Sequence, residues 1–127
     1  MKNYVVKAKE LREYVEKIFQ AVGLKKEEAE SVAELLVHAD LRNVRSHGVL
    51  RTVPYVEKIK DGGASKVSTY PVVHETANTA VIDAQGGLGA LAGEKAVKIA
   101  REKAKNMLRA IDMAKALKLY FENDSGK

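Results

Sequence analysis

The sequence predicts an α+β fold, in which a helical N-terminal subdomain of three helices precedes a β-hairpin and a long C-terminal helix. Apolar residues recur at helical spacing through residues 8–60, whereas two short β-prone runs flank a polar turn at residues 76–79. No Gly or Pro interrupts the chain from Glu94 to Ser125. The change of pattern places the domain boundary after residue 64, which gives predicted domains of residues 1–64 and 65–127.

The composition is that of a soluble globular protein, with 46% hydrophobic and 31% charged residues in a chain of 127. No apolar run approaches the ~18 residues that cross a bilayer, and the N-terminus lacks a signal-peptide core. We therefore expect a cytoplasmic protein without a membrane partner. The chain contains no cysteine, and its three histidines lack zinc-ligand spacing, so neither a disulfide nor a metal site is predicted.

The net charge of +5 raises the possibility of nucleic-acid binding. Lysines are, however, interleaved with glutamates along each predicted helix, a pattern typical of a solvated face with pairing between residues four apart. The chain has only two Phe and five Tyr, and none is interleaved with basic residues as in a stacking surface. Nucleic acid is therefore not an expected partner.

The first two helices are predicted to form an antiparallel hairpin. The first ends at Gly23 and turns one apolar face inward, made of Leu11, Tyr14, Val15, Ile18, Phe19 and Val22. The second begins near Lys25 and buries Ala29, Val32, Ala33, Leu36 and Ala39. A third helix is expected to begin near Ser46, to be kinked at Pro54, and to carry Leu50, Val53, Val56 and Ile59 inward.

The second half of the chain begins with β-prone runs at residues 72–75 and 80–83, which predict a hairpin, and continues as a helix from about Ala90. Between them, residues 87–92 fit the pattern G-x-G-x-x-A. This pattern has two interpretations: a dinucleotide-binding turn, or a glycine turn that lets the helix N-terminus pack closely against the hairpin. The second is favoured, since no further strand with a terminal acid follows at the expected distance.

Polar residues of special chemistry are concentrated between Ala39 and Tyr55. Ser46 is predicted to cap the next helix, and Gly48 to let the backbone approach a ligand closely or take a positive φ. Arg51 and Tyr55 are four residues apart and so share a helical face, which suits a small carboxylate-bearing molecule. Each residue also has an alternative without a ligand: capping or carbonyl bonding for His47, ion pairing with an acidic residue for Arg51, and half-buried packing for Tyr55. Structural roles are expected for His38 and His74.

The pattern A-D-L-R-x-V-x-S-H-G-V-x-R-x-x-x-Y, from Ala39 to Tyr55, resembles the type 2 malate/lactate dehydrogenases. Residues 79–89, T-A-V-I-D-A-Q-G-G-L-G, are similar to a second segment of that family. The resemblance covers about residues 8–106. It implies NAD or NADP as cofactor and a small 2-hydroxy or 2-oxo acid as substrate. It also implies that Ser46 and His47 lie against the cofactor, that Arg51 binds the substrate carboxylate, and that Tyr55 lines the substrate pocket.

The C-terminal part departs from that family. The resemblance implies a catalytic histidine in an N-S-N-H-F-G-like segment, where this chain reads Met107–Ala114, and no histidine follows His74. The chain is therefore expected to be the N-terminal portion of such an enzyme, without a catalytic residue and inactive alone, acting as a homo-oligomer or with a complementing fragment. The alternative is a non-catalytic helical interaction or oligomerisation domain, which uses the apolar residues Leu108, Ile111, Leu117 and Phe121.

Overall fold

The computed structural model describes residues 4–66 and 69–124, except for the side chains of residues 116 and 119–124. The predicted α+β class is confirmed. The elements, in chain order, are helices α1 (Ala8–Ala21), α2 (Lys26–Leu41) and α3 (Thr52–Lys60), strands β1 (Val72–Glu75) and β2 (Ala80–Ile82), and helix α4 (Gly89–Asp124). Two single-turn 3₁₀ helices, Arg45–His47 and Val49–Arg51, precede α3. None of the helices described is both long and apolar enough to cross a membrane.

The chain forms two compact units. The first comprises Met1–Tyr70 and Ala84–Gly93, and the second comprises Pro71–Asp83 and Glu94–Lys127. The division into domains at residues 64 and 65 stays a prediction.

Helix α1 ends where the sequence predicts, at a glycine in the left-handed region. Gly23 has φ +101°, and its N–H donates to the Gln20 carbonyl at 2.9 Å. The next N–H, that of Leu24, donates to the Phe19 carbonyl at 3.1 Å. This pair of bonds is the Schellman motif, which satisfies carbonyls at the helix end and turns the chain toward α2.

The core of the first unit lies between α1 and α2. The prediction of an inward face is confirmed for Val15 and Phe19 of α1, and for four of the α2 residues, Ala29, Val32, Ala33 and Leu36. It is wrong for Tyr14, which is 66% exposed, and Ala39 is only half-buried. Helix α1 packs mainly against α2, so only part of its apolar surface is covered, and Tyr14 lies outside that part.

Helix α3 begins later than predicted, at Thr52 rather than near Ser46. Pro54 is therefore the third residue of α3 and lies in its first turn. Backbone N–H groups in the first turn have no partner within the helix, so the missing N–H of proline breaks no intrahelical hydrogen bond and gives no reason for the expected kink. Leu50 and Val53 are 73% and 63% exposed, which contradicts the predicted inward face. The prediction is confirmed for Ile59, which is buried, while Val56 is half-buried; Thr52 is also buried, although it was not predicted to be.

The second unit contains the predicted hairpin. Strands β1 and β2 pair antiparallel, and the register steps from Val72↔Ile82 to His74↔Val81, so Val73 is an extra residue of a β-bulge. Lys103 of α4 holds the hairpin turn: its ammonium lies 2.8 Å from Glu75 Oε1 and donates to the Thr76 carbonyl at 2.6 Å.

The interleaved charges form the expected pairs along the helices. Lys9 pairs with Glu13 and Lys98 with Glu94, each four residues apart, at 3.9 and 2.6 Å. Lys105 donates a 2.8 Å hydrogen bond that lowers the pKa of Glu102. These contacts lie on exposed faces, so each contributes little to stability.

Candidate functional site

The segment between α2 and α3 turns sharply and is then held by a side chain of α2. Asn43 adopts a left-handed conformation with φ +60°, and the Val44 N–H donates to the Ala39 carbonyl at 2.8 Å. Beyond this turn, the Val49 N–H donates to Oδ2 of Asp40 at 2.8 Å in a part-buried contact. The Asp40 carboxylate therefore fixes the start of the second 3₁₀ helix.

Gly48 is required because another group occupies the space of its missing side chain. A Cβ at this position would overlap the Asp40 carboxylate. The backbone of Gly48 has φ −85° and ψ −156°, which is extended, so the alternative of a positive φ is wrong. The group that lies close to the Gly48 backbone is the Asp40 carboxylate, and the predicted close approach to a ligand stays a prediction.

Ser46 does not cap a helix, in contrast to the prediction. It lies inside the first 3₁₀ helix, and the N-cap residues of the two helices that follow, Gly48 and Arg51, make no side-chain cap hydrogen bond. Its Oγ instead lies 2.9 Å from Nδ1 of His47. The capping acceptor is Asp40, nine residues before the amide that it binds. In the sequence, the only sign of this cap is an acidic residue just before a loop. The amide that the residue binds is set by the folded chain and cannot be read from sequence spacing.

The four predicted site residues share one stretch of ten residues, with different degrees of exposure. Ser46, His47 and Arg51 are exposed, and Tyr55 is half-buried on α3. Arg51 has right-handed helical angles, φ −76° and ψ −10°, so it continues the winding of α3 and lies one turn before Tyr55. Within the part of the chain that the structure describes, the Arg51 guanidinium has no hydrogen bond or ion pair.

Thr52, the residue after Arg51, buries a hydroxyl group that lowers the stability of the fold. Its side chain is buried, and its hydroxyl has no hydrogen-bond partner among the described residues. A buried hydroxyl left without a partner costs about 1–3 kcal/mol. The position next to Arg51 is therefore not optimised for stability.

In the glycine-rich turn before α4, the Tyr70 side chain of the same unit occupies the space beside Gly87. The Gly87 N–H donates to the Ala84 carbonyl at 2.7 Å, and a Cβ on Gly87 would lie 2.5 Å from the Tyr70 hydroxyl oxygen. An amide that is bonded within a turn, beside a buried ring, does not fit a phosphate cradle. This geometry favours a glycine turn over a dinucleotide-binding turn at residues 87–92, and the predicted packing of the helix N-terminus against the hairpin stays a prediction.

Among the described residues, no group of three or more His, Asp or Glu side chains is placed to hold a metal ion.

The chain is similar to proteins of known activity over most of its length. The sequence pattern of the family described as malate/L-lactate dehydrogenase matches residues 6–114. A malate dehydrogenase of Pyrococcus abyssi is 38% identical over 104 residues, which is 81% of this chain and 29% of that protein. The L-sulfolactate dehydrogenase of Methanocaldococcus jannaschii is 33% identical over 103 residues, or 81% and 30% of the two chains.

A solved structure agrees with these sequence matches. Malate dehydrogenase from Pyrococcus horikoshii superimposes with a TM-score of 0.77 at 37% identity, covering 83% of this chain and 32% of that one. The chain thus spans about 30% of the length of the relatives that it matches.

Proposed function

The chain belongs to the malate/L-lactate dehydrogenase family, and on that premise we propose that it forms the substrate-carboxylate side of an NAD(P)-dependent oxidoreductase of 2-hydroxy acids. The observation that carries this proposal is the Ser46–Tyr55 stretch. It presents an exposed guanidinium without a partner in the described chain, one helical turn before a half-buried phenol, on a backbone held by Asp40.

Arg51 is the residue proposed to bind the substrate. A guanidinium offers parallel N–H donors that match the two oxygens of a carboxylate, and this two-point contact fixes the orientation of a small acid. Tyr55 follows one turn later and supplies an apolar ring with a hydroxyl at its tip, so it lines the same pocket.

Ser46 and His47 are proposed to contact the cofactor, NAD or NADP. NAD(P) supplies the hydride-accepting ring of the reaction when it is bound. The residues present fit such a group, because an exposed hydroxyl and an exposed imidazole can bind a carboxamide or a ribose hydroxyl. The 2.9 Å contact between Ser46 Oγ and His47 Nδ1 leaves Nε2 of the ring as the nitrogen available to a ligand.

The first experiment titrates L-malate into the isotope-labelled 127-residue chain and follows the Arg51 side-chain N–H signal by NMR. We expect malate to shift this signal in the wild type, and Arg51→Met to weaken malate binding about 10- to 100-fold, since a charge-assisted hydrogen bond contributes ~1.5–3 kcal/mol. The same chain is expected to form no NADH from NAD and malate, lactate or sulfolactate, because the segment that would hold the catalytic histidine is not in this sequence.

The matched control is Arg42→Met. Arg42 is also an exposed arginine at the end of α2, and it too has no ion pair in the described chain. Equal loss of malate binding in the two variants, or no shift in the wild type, would contradict the role of Arg51. Steady NADH formation by this chain would refute the expectation of inactivity.

The second candidate function is an interaction or oligomerisation domain derived from this family. Exposed apolar side chains of the second unit favour it: Val73, Val81, Val97, Leu108, Ile111 and Leu117. The side chain of Phe121, also named in this interpretation, lies outside the described ones. A second copy or a complementing polypeptide would cover these side chains. Under this alternative the Arg51 signal stays unmoved by malate, so the same titration separates the two functions.

A further inference from the structure

We propose that Asp40 is the positioning residue of this site: its carboxylate sets the turn that presents Ser46, His47 and Arg51. This inference rests on the proposed function of residues 46–55. It identifies the side chain that holds their backbone in place. Asp40 belongs to α2, the helix that packs into the core of the first unit against α1. The exposed turn is therefore tied to a buried element.

The first observation is the hydrogen bond from the Val49 N–H to Oδ2 of Asp40, at 2.8 Å. Val49 is the first residue of the second 3₁₀ helix, where backbone N–H groups have no partner within the helix. The Arg51 N–H then donates to the Gly48 carbonyl at 2.9 Å. A carboxylate acceptor at Val49 thus starts the turn that ends at Arg51.

The second observation concerns Gly48, the residue before Val49, which lies against the same carboxylate. Gly48 leaves no room for a Cβ, because the Asp40 carboxylate fills that space. Its φ of −85° is one that any residue can adopt, so the requirement for glycine comes from the contact with Asp40 and not from backbone strain. Any side chain at position 48 would displace the carboxylate from the Val49 amide.

Asp40 acts through the backbone and is therefore a positioning residue. Asparagine keeps a side-chain oxygen that can accept the Val49 hydrogen bond, whereas alanine does not. The two substitutions separate the hydrogen bond from the negative charge, and Asp40→Asn is expected to rescue what Asp40→Ala loses.

The test measures hydrogen exchange of the Val49 amide and L-malate affinity, by NMR on the full 127-residue chain. Asp40→Ala is expected to speed Val49 exchange about tenfold and to weaken malate binding about tenfold, while Asp40→Asn stays within about threefold of wild type. Gly48→Ala is expected to match Asp40→Ala. The double variant is expected to be no worse than either single one, because both remove the same contact.

Glu34→Ala is the matched control, since it removes an exposed carboxylate from the same helix; it is expected to change neither quantity. Unchanged exchange of α1 and α2 amides in the Asp40 variants shows that the fold is retained. An unchanged Val49 exchange rate, or an unchanged malate affinity, in Asp40→Ala would overturn the proposal for Asp40 alone. No malate binding in the wild type would overturn the proposed function and the role of Asp40 with it.

Discussion

Replacing Phe19 by alanine is expected to lower the free energy of unfolding of the first unit by about 3–5 kcal/mol. Phe19 has 0% exposed surface and is among the largest fully buried side chains described. Its truncation removes the apolar transfer energy of the ring and leaves a cavity that two packed helices close only in part. A loss of this size is a large share of the ~5–15 kcal/mol that stabilises an ordinary domain.

Urea titration followed by far-UV circular dichroism measures this loss as a fall in the transition midpoint. The matched control is Tyr14→Ala, an aromatic truncation on the same helix at a side chain that is 66% exposed. It is expected to change stability by no more than about 0.5 kcal/mol. Similar losses for the two variants would mean that α1 buries the wider face that its sequence pattern suggests.

Helical periodicity predicts which elements form, but not how wide a face each one buries. The spacing of apolar residues identified α1, α2 and the hairpin, because local pattern and local structure agree there. Tyr14 and Leu50 were expected inside and lie in solvent. Their exposure depends on how many neighbouring elements cover a helix, which is a property of the folded chain.

The residues proposed for the candidate site come from one local sequence pattern, whereas the contact that holds their backbone does not. Ser46, His47, Arg51 and Tyr55 form one local pattern that carries the family resemblance. The bond between Asp40 and Val49 joins residues nine apart through two turns, so no spacing rule reveals it. The pattern at Gly48 predicts a close approach to a ligand, whereas the group found against its backbone is the Asp40 carboxylate, which only the three-dimensional fold identifies.

Replacing Gly87 by alanine is expected to destabilise the first unit by about 1–3 kcal/mol. The new Cβ would lie 2.5 Å from the Tyr70 hydroxyl oxygen and 2.8 Å from two ring carbons. Tyr70 is only 7% exposed and is held at φ +49°, a conformation that few non-glycine residues adopt. A buried ring on a constrained backbone cannot move aside without a cost, so the turn must open instead.

Thermal and urea unfolding of Gly87→Ala measure this effect, and Gly89→Ala is the matched control. Gly89 begins α4, and a Cβ there meets no atom within 4 Å in the described structure. We expect Gly87→Ala to lose stability and Gly89→Ala to keep it. In a Tyr70→Ala background, the loss of unfolding free energy caused by Gly87→Ala is expected to be smaller by at least about 1 kcal/mol. A phosphate cradle would predict the opposite: both glycine variants would keep their stability, and both would weaken binding of NAD. That outcome would restore the dinucleotide interpretation of residues 87–92.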